Sequence, residues 1–253
     1  PYYYVVDTDG NQLPYIDGVV MTLAENIEVA NLRAMAGEYD LQERHMDLAK
    51  LPVILENRDR GKYDVHLDLA YNGADTTLHV NMNHTADAEI GKWLGTADFR
   101  RALSLGIDRD QLNETFWLGL ATPGSTAPAE VMPESPGPEW RKKWSVLDVA
   151  QANSMLDKLG LTKKDREGYR LHTDNGQRLI IQLTAVKAFM DWPAHAQMIA
   201  QQWRRIGIFA DGLLFANGLL PWRDGVIVTA SFTSVIISDH RCCRRAVSGV
   251  CVV

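Results

Sequence analysis

The most restrictive feature of the chain is that its apolar residues change period along the sequence. Val65, Leu67 and Leu69 alternate, which buries one face of a strand. Phe99, Ala102, Leu103, Gly106 and Ile107 instead recur at three- and four-residue intervals and line one face of a helix over 96–107. A chain that switches between these periods must stack helices on sheet, so the pattern predicts an α/β fold.

Punctuation residues divide the rest. Asp9-Gly10-Asn11 supplies a turn between an extended Tyr2–Val6 run and Leu13-Pro14-Tyr15-Ile16. Helices are expected over Ala24–Met35, closed by Gly37, and over Met46–Arg58, followed by a strand over Tyr63–Ala70 and an extended segment over Leu78–Asn83. Asp108 with Gln111, and Asp148 with Gln151, have capping-box spacing; they open helices ending near Trp117 and Gly160. Five prolines between 121 and 140 exclude a long helix there and predict a surface loop. Asp174-Asn175-Gly176 predicts a β-hairpin joining Tyr169–Thr173 to Leu179–Ala185, and Pro193 opens a last helix whose inner face holds Ile199, Trp203 and Ile206.

Bulk properties exclude several classes of function. With 253 residues, 46% of them hydrophobic, the chain can bury a real core, and a net charge of −6 offers no cationic surface for nucleic acid. No apolar run approaches the ~18 residues of a membrane span. All three cysteines lie at 242, 243 and 251, so the body of the chain is thiol-free, as suits an oxidising compartment. From Gly212 onward Glu and Lys disappear and helical periodicity gives way to a β-prone run over Val226–Ile237. This tail reads either as an unusual extension or as residues foreign to the preceding fold.

Catalytic and metal motifs are missing. Asp7-Thr8-Asp9-Gly10-Asn11 starts like a calcium loop, but Gln12 and Gly18 stand where such a loop needs its turn glycine and its closing Glu. The seven histidines contain no HExxH pair and most sit in polar company that places them at the surface, there is no CxxC, and Gly124-Ser125 lacks the glycine pattern of a nucleophile elbow. Glu38 and Asp40 could work as an acid–base pair, although solvation or arginine pairing is the commoner fate of such residues. No catalytic residue, metal or cofactor is therefore assigned. Trp203 belongs to a buried stripe, while Trp117, ending a helix before the proline-rich loop, suits either core or binding surface.

Residues 1–17, PYYYVVDTDGNQLPYID, resemble a segment of family 5 extracellular solute-binding proteins. Gly37-Glu38-Tyr39-Asp40, Asn81, the FRRALSLGIDR run of 99–109, Gly119 with Pro123, Ala152–Gly160 and Trp203–Ile208 extend the resemblance in order to about residue 208. The resemblance implies a fragment of a two-lobed periplasmic-binding-protein fold of type II. It also implies an α/β, non-enzymatic, monomeric, periplasmic or otherwise extracytoplasmic protein. Such a protein captures peptides or similar small solutes by lobe closure and hands them to the permease subunits of an ABC transporter. By family order, residues 1–78 form part of the first lobe, 79–211 part of the second, and 212–253 an atypical tail, with one passage between lobes. The ligand residues expected within this span are Asn81, Met82 and Asn83 near the crossover, and Trp117, Gly119, Thr122 and Pro123 at the following helix end and loop. An oligosaccharide or opine binder of the same fold is the alternative ligand class; a hydrolase using Glu38 or Asp40 is the rival from another class.

Overall fold

A computed structural model describes residues 4–67, 74–186, 191–215, 226–230 and 235–239. The expected strand residues 68–70, Pro1 to Tyr3, and the cysteines lie outside that set.

The chain opens with the anticipated turn, where the Asp7 carboxylate accepts the backbone N–H groups of Asp9 and Asn11 at 2.9 and 2.8 Å and Val6 bridges Gln12. Helix α1 (Ile27–Met35) is capped by Asn26, whose side chain accepts from Val29. Gly37 closes it at φ +75°, a left-handed conformation that glycine adopts without steric cost. The Met46–Arg58 stretch resolves into a short 3₁₀ turn at Leu48–Lys50, α2 (Leu51–Glu56) and α3 (Arg58–Gly61). Strand β1 is Leu41–Gln42 and β2 is Tyr63–Leu67.

After β3 (Thr76–Val80) come α4 (Ala88–Gly95), α5 (Ala97–Leu105) and α6 (Arg109–Phe116). The expected stripe of α5 is buried at Phe99, Ala102 and Leu103, and Asp108 caps α6 by accepting from Gln111. Helix α4 was not anticipated. Its glycine, Gly91, weakens the helical signal, yet a Cβ at that position would stand 2.2 Å from the His84 carbonyl oxygen, so close backbone approach requires it. Helix α7 (Pro138–Lys142) ends the proline-rich loop, and α8 (Val149–Lys158), capped by Asp148, packs on α5.

Strand β4 (Ile180–Val186), α9 (Trp192–Trp203) and β5 (Phe209–Phe215) form a parallel β-α-β unit. The hairpin expected at 169–185 is reduced to one isolated bridge, Leu171 to Arg178. Beyond it, residues 180–186 leave the local partner and pair in parallel with β5 and β6, because a strand flanked on both sides gains more hydrogen bonds than one held at a turn.

Two sheets result. One has the order β1-β7-β2 and the other β3-β6-β4-β5, where β6 is Val226–Ala230 and β7 is Val235–Asp239. Both β6 and β7 come from the atypical tail, yet each lies inside its sheet. Strand β7 pairs antiparallel with β1 and β2, and β6 pairs antiparallel with β3 and parallel with β4. The chain goes from the first sheet to the second after β2 and returns to the first after β6. The sequence-derived division at 78/79 falls within β3, and that at 211/212 within β5. The core is continuous through α4, α5, α6, α8, β4 and α9, with Leu94, Phe99, Leu156, Leu183 and Trp203 almost wholly enclosed. No helix among the described residues is long and apolar enough to cross a membrane.

Candidate functional site

A cavity of about 640 Å³ opens between β3, α5, α6, the loop at 121–126 and α9. Its walls are mainly apolar, contributed by Leu78, Leu103, Ile107, Leu112, Ile199 and Trp203, and polar groups are set into them at a few points.

One end is aromatic. Trp117 terminates α6 and is buried; behind it the chain reverses through Leu118 and Gly119, at φ 54° and 74°, with Gly119 N–H donating to the Asn113 carbonyl at 3.1 Å. Asn113 then clamps the loop with its side chain, accepting from the N–H of Ala121 at 2.9 Å and donating to its carbonyl at 2.8 Å. This places Thr122 and Pro123 on the cavity wall. Further along, Ser125 N–H donates to the Arg141 carbonyl at 2.7 Å, and the Arg141 guanidinium donates to Ala127, so the proline-rich loop is pinned to α7.

His195, on α9, is 1% exposed and stacks on Phe116 at 3.7 Å between centroids, with Trp117 edge-on at 5.1 Å. Its Nδ1 lies 2.7 Å from the Asp191 carbonyl, which can only accept, so Nδ1 carries the proton and Nε2 is the acceptor. Burial pushes the imidazole pKa down against the opposing pull of that carbonyl, so the ring is neutral at pH 7. Neither His195 Nε2 nor Trp117 Nε1 has a hydrogen-bond partner among the described residues.

Two cations line the same cavity. Arg109, the first residue of α6, donates through Nη1 to the carbonyls of Ser104 and Ser145, each at 3.0 Å, and through Nη2 to Ser104 Oγ at 2.8 Å. Burial pushes its pKa down to about 10, which leaves it charged at neutral pH. Arg100, one helical turn before Ser104 on α5, donates to the Leu94 carbonyl at 2.7 Å. Asp75, at the β3 end, is the one carboxylate among the described lining residues.

Of the ligand residues expected from the sequence, Met82, Trp117, Thr122 and Pro123 come together at this cavity. Asn81, Asn83 and Gly119 are not on its wall. Asn81 accepts from the Asn83 N–H at 3.1 Å, which is a turn contact, and Gly119 shapes the reversal after α6. His195, Arg109, Arg100 and Asn113 were missed. Histidines in polar company were expected at the surface, and both His172 and His195 are instead buried. Glu38 meets Arg33 at 3.8 Å on an exposed surface, which is the pairing anticipated for it.

A second polar cluster, Glu89, His172 and Asp174, has donor atoms within 4.8 Å of one another, as a cation site would. The Glu89 carboxylate is already occupied: it accepts from Trp93 Nε1, from the N–H and hydroxyl of Thr173, and from the N–H of Asp174, at 2.6 to 3.2 Å. Burial pushes the Glu89 carboxyl up, but the Thr173 and Asp174 hydrogen bonds outweigh it and hold the group well below the ordinary carboxylate range. The cluster is a latch between α4 and the turn before β4.

Comparison with known proteins is consistent with this architecture. Residues 1–211 match the family described as "Bacterial extracellular solute-binding proteins, family 5 Middle". A "Probable ABC transporter-binding protein" of Deinococcus radiodurans is 24% identical over 204 residues, covering 80% of this chain and 34% of the relative. A "Periplasmic alpha-galactoside-binding protein" of Rhizobium meliloti is 27% identical over 189 residues, covering 67% of this chain and 25% of the relative. Among solved structures, an "oligopeptide-binding protein OppA" superposes with a TM-score of 0.63 at 30% identity, over 94% of this chain and 37% of that one. The chain thus spans a quarter to two-fifths of the length of these relatives.

Proposed function

The chain belongs to the bacterial extracellular solute-binding proteins of family 5, and from that premise we propose that it is part of an extracytoplasmic receptor that traps a small solute and delivers it to the membrane permease of an ABC transporter. The family is one of binding proteins rather than enzymes, so the solute is held and released unchanged. The preferred ligand is a peptide or a solute of similar size, with an oligosaccharide as the alternative.

The observation that carries this reading is the cavity itself. About 640 Å³ lies within the ~300–1,000 Å³ of ligand pockets, and its apolar walls carry a few fixed polar groups, which is the composition that orients a solute while excluding water. Because β2 leads to β3 and β6 returns to β7, two passages connect the sheets. A pair of connections permits the two halves to rotate toward each other about a common hinge. In this reading the sheet β1-β7-β2 serves the first lobe and the sheet β3-β6-β4-β5 the second, the receptor acts as a monomer in the periplasm or its equivalent, and Met82, Trp117, Thr122 and Pro123 contact the solute.

Native mass spectrometry of the full-length protein purified from its host tests the reading. A co-purified intact peptide is the expected result. A co-purified sugar would move the assignment to the alternative ligand class, and turnover of an added peptide or glycoside would refute solute capture.

A further inference from the structure

The net charge of −6 averages over an uneven distribution. Three segments meet at one end of the molecule: the last turn of α8, the loop at 161–169, and a 3₁₀ turn, Arg204–Ile206, that follows α9. Arg170 fastens them together. It is wholly buried, and its guanidinium donates through Nη1 to Asp157 at 2.6 Å and to the Leu161 carbonyl, through Nη2 to Asn153 Oδ1 at 2.7 Å, and through Nε to the Ile206 carbonyl at 2.9 Å. Its backbone N–H donates to the Gly207 carbonyl at 2.7 Å, and Lys164 bridges Arg170 across the loop. The Lys164 side chain lies along Gly207, where a Cβ would stand 3.3 Å from its Cε, and the Arg204 guanidinium is 5.7 Å from the Tyr169 ring at the end of the same loop.

Each of the three segments carries exposed cations: Lys158 on α8, Lys163, Lys164 and Arg166 on the loop, and Arg204 and Arg205 on the turn. The acids between them are answered by other arginines. Asp157 pairs with Arg170, and Asp165 and Glu167 both pair with Arg178, at 2.6 and 2.9 Å. Of the six exposed cations only Arg205 has an ion-pair partner among the described residues, Asp108 at 3.7 Å. That end of an acidic protein therefore keeps an excess of positive charge, on segments whose relative positions are fixed by a buried side chain.

What the patch lacks selects its partner. None of the large apolar residues exposed among the described residues falls within 157–168 or 203–208. A protein interface draws its affinity from a buried aromatic or aliphatic centre, with charges at the rim, and this surface offers no such centre. A layer of anionic headgroups needs none, because each Lys or Arg close to it strengthens adsorption about five-fold by charge alone.

We propose that this basic end is a contact face for an anionic phospholipid surface, which orients the protein with its acidic remainder turned away from the bilayer. The receptor reading supplies only the setting, since a receptor that serves a membrane permease works beside a bilayer; the identity of the solute does not enter.

Co-sedimentation of the full-length protein with vesicles tests it, comparing phosphatidylcholine alone with phosphatidylcholine containing about one-third phosphatidylglycerol, at a salt concentration low enough for a Debye length of about 30 Å. The anionic vesicles should bind about ten-fold more tightly or better, and about 0.5 M salt should remove most of the difference. Lys164→Gln combined with Arg204→Gln should weaken binding to the anionic vesicles about twenty-five-fold. Lys142→Gln combined with Lys143→Gln removes the same charge from exposed positions at the end of α7 and should change binding by less than about two-fold. Equal binding to both kinds of vesicle overturns the proposal, as does equal weakening by the two double variants, which would reduce the effect to net charge. If Lys164→Gln with Arg204→Gln abolishes retention on the cognate permease in neutral-lipid discs while anionic vesicles bind neither form, the patch docks protein and the lipid assignment is refuted. Solute capture is untouched by these outcomes, because the co-purified ligand decides it separately.

Discussion

Replacing Glu89 by alanine should open the connection between α4 and the turn at 172–177 without dissolving the rest of the core. The wild-type carboxylate is 6% exposed and takes hydrogen bonds from Trp93, Thr173 and Asp174, with His172 Nδ1 at 3.1 Å. Alanine leaves those donors facing a void. A buried donor without an acceptor costs about 1–3 kcal/mol, and water reaching the outer part of the turn recovers some of it, so the net loss should be about 3–5 kcal/mol. At about 1.4 kcal/mol per factor of ten, that lowers hydrogen-exchange protection of the Thr173 and Asp174 amides by about a hundred- to a few-thousand-fold if they exchange by local opening. Glu89→Gln keeps the shape and one accepting oxygen but turns an amide N–H₂ toward the same donors, so it should lose about half as much. The pH dependence follows from the depressed folded-state pKa. The latch contributes fully above the ordinary carboxylate value of 4.5 and is lost only as pH falls through the lower folded value, so wild-type protection at Thr173 should survive acidification through 4.5. Protection in Glu89→Ala within three-fold of wild type would refute the latch.

Trp203→Ala removes a side chain 1% exposed whose Nε1 donates to the Leu103 carbonyl at 2.9 Å, and urea unfolding should report a loss of about 3–5 kcal/mol. Gly37→Ala and Gly176→Ala separate conformational cost from collision. Both glycines have positive φ, but a Cβ on Gly37 would stand 2.1 Å from the Gly61 carbonyl oxygen whereas one on Gly176 meets nothing within 4 Å. Thermal melts should therefore show the Gly176 variant losing about 1 kcal/mol and the Gly37 variant clearly more. Asn113→Ala removes the clamp on Ala121, so limited proteolysis should cut faster within the loop at 121–126, with global stability lowered by about 1–2 kcal/mol.

Where a structural signal is local, it was legible in the residues. Helix α5 could be read because Phe99, Ala102 and Leu103 repeat on one face, and α6 and α8 because Asp108 and Asp148 each sit three residues before the backbone N–H they accept. The hairpin at 174–176 misled because its turn chemistry is real, while the fate of residues 180–186 was settled by β5 and β6, which lie far ahead in the chain. The same distance hides the cavity. His195 looks like a surface residue beside Ala194 and Ala196, and only Phe116, almost eighty positions earlier, makes it an enclosed one. Arg109 reads as an ordinary helix-start residue until Ser104 and Ser145 are seen to converge on it. Trp117 was legible as a candidate because a helix end ahead of a proline-rich loop is where surface and core meet.

The placement of residues 226–239 governs the order in which this molecule can be assembled. Val65 must wait for Ile237, and Leu78 for Val228, before either has a neighbour across its ladder. Contacts so distant along the chain form slowly, since a long loop must be closed before any of them is rewarded. During synthesis the polypeptide therefore has helices and one β-α-β unit to nucleate on, while β2 waits for β7 and β3 waits for β6.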